Sequence, residues 1–346
     1  MAERTATPLA ELTTLRLGGP AKRLVEVHDE ADLVAEVTGC DERGEPVLVL
    51  GGGSNVVIPD DGFDGTVMLV RIAGVRVDDD GCGGVTATVA PGEDWDAFVV
   101  RAIDEGWRGV ECLSGIPGLV GAVPMRNVGA YGQEVADCIA SVRTYDRRQR
   151  RQVTYAAGDC GFGYRTSRFK QEPDRHLILG VTFQFALGDR SAPIGYAELA
   201  RRLDTEIGSQ LPSTEVRAAV LGLRRGKGMV LDPADHDTWS AGSFFTNPIL
   251  DLAEADRLPV DVPRWPVDGG RVKTSAAWLI ERAGYRRGYG DGAIRLSSKH
   301  TLALTNRGDG TATELLALAR EIRDGVAAKF GVRLDNEPVL VGGLEL

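Results

Sequence analysis

The chain predicts an α+β fold, and three observations carry that prediction. Helical periodicity is confined to a few segments, β-branched runs are short and numerous, and the two kinds do not alternate regularly. Residues 32–37 sit in a first predicted helix, 94–103 (DWDAFVVRAI) form a second and 274–283 (TSAAWLIERA) a third. The strongest spans 311–330, where Leu315, Leu318, Ala319, Ile322 and Val326 recur at helical spacing. Thr311 followed by Glu314 supplies a capping box at its start. Between these helices TVMLV, GVTATVA, ILGVTFQFAL, TLALTN and PVLVGGLEL read as strands. Residues 256–270, with three prolines and no periodicity, read as a loop. Domain boundaries are expected near 187–193 and 211–213.

With 346 residues there is room for two or three domains, and 43% apolar with 26% charged residues suits a globular enzyme. A net charge of −10 argues against a nucleic-acid partner, while leaving room for a local basic pocket that holds a small anion. No run approaches the roughly 20 apolar residues of a membrane span, and residues 1–19 lack a signal-peptide core, so the expectation is a cytoplasmic protein without a membrane partner. Five cysteines (Cys40, Cys82, Cys112, Cys138, Cys160) form no C-x-x-C pair and read as reduced, mostly buried thiols. Four scattered histidines form no metal-binding pattern, so no metal is expected.

Residues 46–59 read PVLVLGGGSNVVIP. The third glycine of a dinucleotide G-x-G-x-x-G motif would fall on Val56, and VVIPD cannot open a helix because it is β-branched and broken by Pro59. The segment is therefore strand, glycine loop, strand. Such glycines let backbone amides approach a ligand that a Cβ would block, although a bare turn uses the same residues. A second glycine-rich segment, LSGIPGLVGAVPMRNVGAYGQEV (113–135), offers backbone donors with little side-chain bulk, enough to wrap a flat phosphate-bearing cofactor. Two such segments in one half of the chain favour a shared ligand.

In GFGYRTSRFK (161–170), Arg165, Arg168 and Lys170 are interleaved with Tyr164 and Phe169, and a guanidinium there can grip a carboxylate in two-pronged fashion. In WSAGSFFTNP (239–248), small residues leave the Ser243 hydroxyl approachable. Neither a nucleophile elbow nor a nearby histidine supports triad chemistry. Two consecutive phenylalanines cannot both face one core from a simple strand.

In order and spacing these stretches, with TTLRLGGPA, GFDGTVM, SAAWLIERAG and LDNEPVLVG, closely resemble the UDP-N-acetylenolpyruvoylglucosamine reductase family. The resemblance runs nearly end to end. It implies an FAD-binding fold of the vanillyl-alcohol-oxidase (PCMH) type with a separate C-terminal α+β substrate-binding domain. The implied division is 1–55 plus 312–346 as a first FAD-binding subdomain, 56–210 as the second, and 211–311 as the substrate-binding domain. The implied reaction is NADPH-dependent reduction of UDP-N-acetylglucosamine enolpyruvate to UDP-N-acetylmuramate, in peptidoglycan precursor synthesis, by a monomer holding FAD non-covalently.

The resemblance also assigns residues by motif. Gly51, Gly52, Gly53, Ser54, Asn55 and Val56 would hold the FAD diphosphate. Ser114, Gly115, Ile116, Pro117, Gly121, Asn127, Gly129 and Tyr131 would form the second cradle. Arg165 would polarise the substrate carboxylate, Glu337 would stabilise the enol-like intermediate, and Ser243 would give a proton to C2. Glu337 beside a carboxylate would need a proton or a hydrogen bond to help. Tyr164, Tyr196, Lys227, Asn247 and His300 would contact substrate, Tyr196 from a loop that closes over the sugar diphosphate. Met125-Arg126 departs from the small apolar residue and Gln usual before NVGAYG, placing an extra cation beside the cradle. PADHDTWSAGS lacks the family's short GNAGS lead-in. Two further readings remain at this stage: another flavin oxidoreductase on the same cofactor fold, and a nucleotide-sugar-binding protein without catalysis.

Overall fold

The computed structural model describes residues 2–79 and 84–346; Cys82 lies outside the described residues. The chain divides into two compact units. One comprises Met1–Ala6, Lys22–Gly52 and Gly65–Gly226, the other Thr7–Ala21, Gly53–Asp64 and Lys227–Leu346. This grouping differs from the expected division. The helix Ala312–Phe330 groups with 227–311 rather than with residues 1–55, because its apolar stripe packs there. Residues 22–52 group instead with 65–226, to which the strand Val47–Leu50 is tied by parallel pairing with Phe63–Val70.

In the first unit, Asp29 accepts from the amides of Ala31 and Asp32 and so opens the helix Glu30–Arg43, which stops at Gly44 with φ 66°. Leu33, Val37 and Cys40 on that helix are buried with Val25, Val27, Met68 and Val70. A second, antiparallel sheet is ordered Arg151–Ala156, Ile139–Asp146, His176–Leu187, Gly84–Val89, Val75–Asp79, with Trp107–Arg108 on the strand His176–Leu187. Val85, Ala87 and Val89 alternate inward, as period two demands. Against them the helix Trp95–Asp104 buries Trp95, Phe98, Val99, Ala102 and Ile103. Phe98 and Phe183 lie 5.2 Å apart between ring centres, and each such buried side chain contributes about 1.5–3 kcal/mol.

Asp146 ends one strand of this sheet. It is fully buried and accepts from Arg175 Nε and Nη2 at 2.9 and 2.7 Å and from the amides of Arg148 and Gln149. Burial pushes its carboxyl up, but Arg175 and the two amides outweigh it and hold the group down at about 2. A carboxyl lowered by folding stabilises above its ordinary value of 3.8, and that contribution is lost as pH falls through about 2. Asp146→Asn is expected to cost about 2 kcal/mol at neutral pH and to flatten the acid limb of stability. Denaturant midpoints measured at stepped pH check this; an unchanged acid limb would contradict it.

In the second unit the capping box of Thr311 and Glu314 opens the 19-residue helix Ala312–Phe330. Asp60 takes the amides of Ala312 and Thr313 at 2.6 and 3.0 Å, adding a carboxylate at the positive helix end. Leu315, Leu316, Ala319, Ile322 and Val326 are buried in one cluster with Leu279 and Ile280 of the helix Ala276–Ala283.

Two strand expectations and one loop expectation need correction. In TLALTN only Leu304–Asn306 is a strand, paired with Ile294–Leu296. In PVLVGGLEL only Val339–Leu340 pairs, in parallel with Val56–Val57, because Gly342 and Gly343 turn into positive φ. The expected loop 256–270 contains the strand Arg264–Val267, whose Pro266 is tolerated at a sheet edge. The four described cysteines are free and buried, as expected. Among the described residues no helix is long and apolar enough to cross a membrane, and no metal-binding cluster forms.

Candidate active site

The chain passes from the first unit to the second inside the glycine run, between Gly52 and Gly53. On the first-unit side, a Cβ on Gly52 would come within 2.7 Å of the Gly118 Cα, so the two glycine segments approach backbone to backbone. On the second-unit side, Gly53 has φ +60°, and a Cβ there would lie 1.9 Å from the Leu12 carbonyl oxygen. The carbonyls of this loop are in use: Gly53 O accepts from Thr14 N at 3.1 Å and Asn55 O from Val339 N at 3.0 Å. Among the described residues the amides of Gly52, Gly53 and Asn55 meet no acceptor. Backbone amides left open beside the positive φ of Gly53 suit an anion such as the diphosphate of a dinucleotide.

Gly53→Ala is expected to destabilise the protein by about 2 kcal/mol or more through backbone strain and overpacking, and to empty it of bound dinucleotide. Thermal unfolding together with the absorbance of the purified protein checks both. A stable, loaded variant would contradict the close approach.

The second glycine segment is held from within the first unit. Gly115 (φ 71°) donates its amide to Asp96 Oδ1 at 2.6 Å. Arg217 grips Asp96 with both terminal nitrogens, at 2.6 and 2.8 Å. The amides of Ile116 and Gly118 meet no acceptor among the described residues, again suiting an anionic or flat ligand.

Three residues expected at the cofactor also bond within the protein. Ser114 is fully buried and its hydroxyl closes onto Glu111 O at 2.6 Å. Gly121 donates to Pro91 O at 2.9 Å, and its missing Cβ makes room for Pro91. Asn127 is 1% exposed; its side chain bonds Glu134, Gly163 O and the Ala136 amide. These three shape the cradle, with the Ser114 and Asn127 side chains and the Gly121 amide committed to the protein.

Arg165 sits in the tight turn closed by Gly163 and Thr166, with φ 52°. Its guanidinium donates to Gly129 O at 2.6 Å and lies 5.6 Å from the Tyr164 ring centre. Ser167, buried beneath, ties the turn to Met125 O at 2.7 Å, and Lys170 Nζ bonds Arg165 O at 2.8 Å. Asn127 and Tyr131 also have positive φ, at 46° and 48°. Three side-chain-bearing residues in this region around one carbonyl mark stored strain of the kind that collects at functional sites. Arg126 ends the short 3-10 helix Val120–Arg126 of the same segment and is half-buried. Tyr131 and Tyr196 meet edge to face at 5.6 Å, and burial pushes the Tyr131 phenol up to about 12. Tyr196 keeps 44% of its surface exposed at the start of the helix Ala197–Arg202.

In the second unit the chain crosses itself at Ser243. Phe244 N donates to Leu302 O at 2.6 Å, Glu337 N to Phe244 O at 2.8 Å, and Thr246 N to Asp335 O at 3.0 Å. Segments far apart in sequence thus place Ser243 and Glu337, both half-buried, on adjoining backbone. Phe244 and Phe245 are both buried, because the segment is an irregular turn rather than a strand; their rings meet at 74°.

The unusual lead-in is well braced. Asp237, 3% exposed, accepts from Ser297 Oγ, Ser298 N, Ser298 Oγ and Arg307 at 3.1, 3.0, 2.8 and 2.6 Å. Burial raises its carboxyl, but Ser298 and Arg307 outweigh that and hold it low. Ser297 Oγ in turn takes the His300 amide at 3.1 Å. Lys227 is half-buried, next to Gly228 with φ 65°. Asn247, expected at substrate, uses its Oδ1 to accept from the Ala276 amide at 3.0 Å, so it also holds the start of a helix.

Sequence reading missed Asp96, Glu111, Gln133 and Asp237. One signal was present for Glu111: a lone carboxylate in the apolar lead GVECL of the second glycine segment.

An FAD-binding-domain family model matches residues 21–151. Together with the two glycine segments it defines the chain as an FAD-dependent oxidoreductase. The model for the UDP-N-acetylenolpyruvoylglucosamine reductase C-terminal domain matches residues 232–341. Relatives carrying that enzyme name from Cutibacterium acnes and Streptomyces coelicolor are 55% and 54% identical, each match covering 97% of this chain and 89% of the relative. The crystal structure of the Thermus caldophilus enzyme matches with a TM-score of 0.63 and 25% identity, over 98% of this chain and 99% of that one. The chain belongs to the UDP-N-acetylenolpyruvoylglucosamine reductase family.

Proposed function

We propose that the protein reduces UDP-N-acetylglucosamine enolpyruvate to UDP-N-acetylmuramate with electrons from NADPH, Ser243 donating the proton to C2. The observation that supports this chemistry is the backbone crossing that sets Ser243 beside Glu337. Residues 51–56 and the amides of Ile116 and Gly118 would hold the FAD. When bound, that cofactor takes hydride from NADPH and supplies it to C3 of the enol ether.

Arg165 binds the substrate carboxylate. Charge that develops over C2 and that carboxylate as C3 is reduced is stabilised by its guanidinium, already aimed by Gly129 O. Glu337 stabilises the same enol-like charge by hydrogen bonding. The Ser243 hydroxyl then protonates C2 on one face, which sets the D configuration. Tyr164, Tyr196, Lys227, Asn247 and His300 position the substrate, Tyr196 by closing over the sugar diphosphate. FAD is held non-covalently, and no histidine lies in either glycine segment to form a histidyl flavin bond. The protein works in the cytoplasm as a monomer, in peptidoglycan precursor synthesis.

The test separates the half-reactions. Under anaerobic conditions NADPH should bleach the bound flavin, and UDP-N-acetylglucosamine enolpyruvate, but not buffer, should restore its colour. Bleaching without recovery would point to another acceptor. A colourless protein that FAD does not reconstitute would overturn the cofactor assignment.

A further inference from the structure

We infer that Glu111 is a positioning residue that fixes the base of the tyrosine-bearing loop to the flavin cradle, so that Tyr196 is presented to substrate. The proposal rests on the reading of Tyr196 as a substrate contact.

Glu111 is fully buried at the head of the second glycine segment. Its Oε2 accepts from Gly109 N at 2.8 Å. Its Oε1 accepts from Gln133 Nε2 at 2.9 Å and from Ala192 N at 2.6 Å. Gln133 carries the link onward, its Oε1 taking the Cys112 amide at 2.8 Å. One carboxylate therefore joins three chain segments: the approach to the cradle, the return of the cradle near Tyr131, and the loop that leads to Tyr196. A charged acceptor serving buried N–H groups makes stronger bonds than a neutral one, and those donors lose their partner if it is removed.

The surroundings show what this anchor controls. Ser191 is fully buried and Ile194 is 1% exposed, the latter packed with Cys112, Leu199 and Val220. Gly195 and Gly132 lie so close that a Cβ on Gly132 would meet the Gly195 carbonyl carbon at 3.1 Å. Only beyond this pinned base does the loop release a large exposed ring, Tyr196, against the edge of Tyr131. The hydrogen bond at Ala192 thus sets the starting point of the short arm that ends at Tyr196.

Glu111→Gln keeps size and shape but replaces one acceptor oxygen by an NH2 donor. It cannot accept from all three N–H groups at once. The expected result is folded, FAD-loaded protein in which the KM for the enolpyruvyl substrate rises roughly tenfold, the loss of about one charge-assisted hydrogen bond. NADPH-dependent bleaching of the flavin should proceed at the wild-type rate. Hydrogen exchange across 189–197 should quicken. If Glu111→Gln does not accumulate, Glu111→Asp keeps the charge, shortens the reach and should give the same split.

Tyr196→Ala is measured alongside. If Tyr196→Ala raises KM and the Glu111 variants do not, the positioning role is overturned. Equal losses in both half-reactions would overturn it too, since general damage is then the cause. If Tyr196→Ala leaves KM unchanged, the tyrosine reading falls and takes the proposal with it, an outcome distinct from the other two.

Discussion

Ser243→Ala should leave a yellow protein that NADPH bleaches normally and that the enolpyruvyl substrate no longer recolours. A positioned general acid contributes about 10²–10⁴ in rate, so reoxidation should slow by that factor while flavin reduction is unaffected. The structural cost should be small. Ser243 is held by its neighbours' backbone bonds, from Phe244 N to Leu302 O and from Glu337 N to Phe244 O, and by two buried phenylalanine rings. Its own hydroxyl carries none of these. Stopped-flow absorbance of each half-reaction decides the matter. Normal reoxidation would remove Ser243 from the chemistry and return the search for the proton donor to Glu337.

Arg165→Lys should be nearly as severe, and on the same half-reaction. The lysine ammonium is a point charge that cannot engage a carboxylate in two-pronged fashion. Removing one preorganised donor from a developing anion typically costs about 10²–10³ in rate. Here the guanidinium is aimed by Gly129 O at 2.6 Å, in a turn that holds Arg165 at φ 52°. Substituting lysine keeps the charge and the backbone strain, so the loss reports on fork geometry. Substrate kcat/KM should fall by about two orders of magnitude, with bleaching by NADPH changed little. A variant of near wild-type kcat/KM would mean that Arg165 meets the substrate as a simple charge or not at all.

Much of this protein could be read along the chain. The capped helix Ala312–Phe330 declared itself through its apolar stripe and the Thr311–Glu314 pair, because helix signals are local in sequence. The glycine segments announced close backbone approach for the same reason: absence of a Cβ is a property of the residue itself. The roles proposed for Arg165, Ser243 and Glu337 rest on motif order rather than on local physics, since nothing local tells a reactive serine from one in a turn.

Other features depended on partners distant in sequence. Ser114 and Asn127 looked like ligand contacts, yet their side chains are consumed by Glu111, Glu134 and Gly163. PVLVGGLEL had strand composition, but only Val339 and Leu340 find a partner, in Val56 and Val57. The phenylalanine pair looked incompatible with one core until the irregular turn let both rings point inward.

Sequence by itself determined the α+β class, the capped helices and the positions where the backbone must be bare, because each follows from a residue's own size, polarity and dihedral freedom. Tertiary structure alone decided which unit each segment joins, that Ser243 adjoins Glu337, and that the buried carboxylates Glu111, Asp146 and Asp237 serve as anchors. The physical reason is that a buried carboxylate is tolerable only when donors converge on it. Those donors come from Ala192, Arg175 and Arg307, residues that only the folded chain brings to the site.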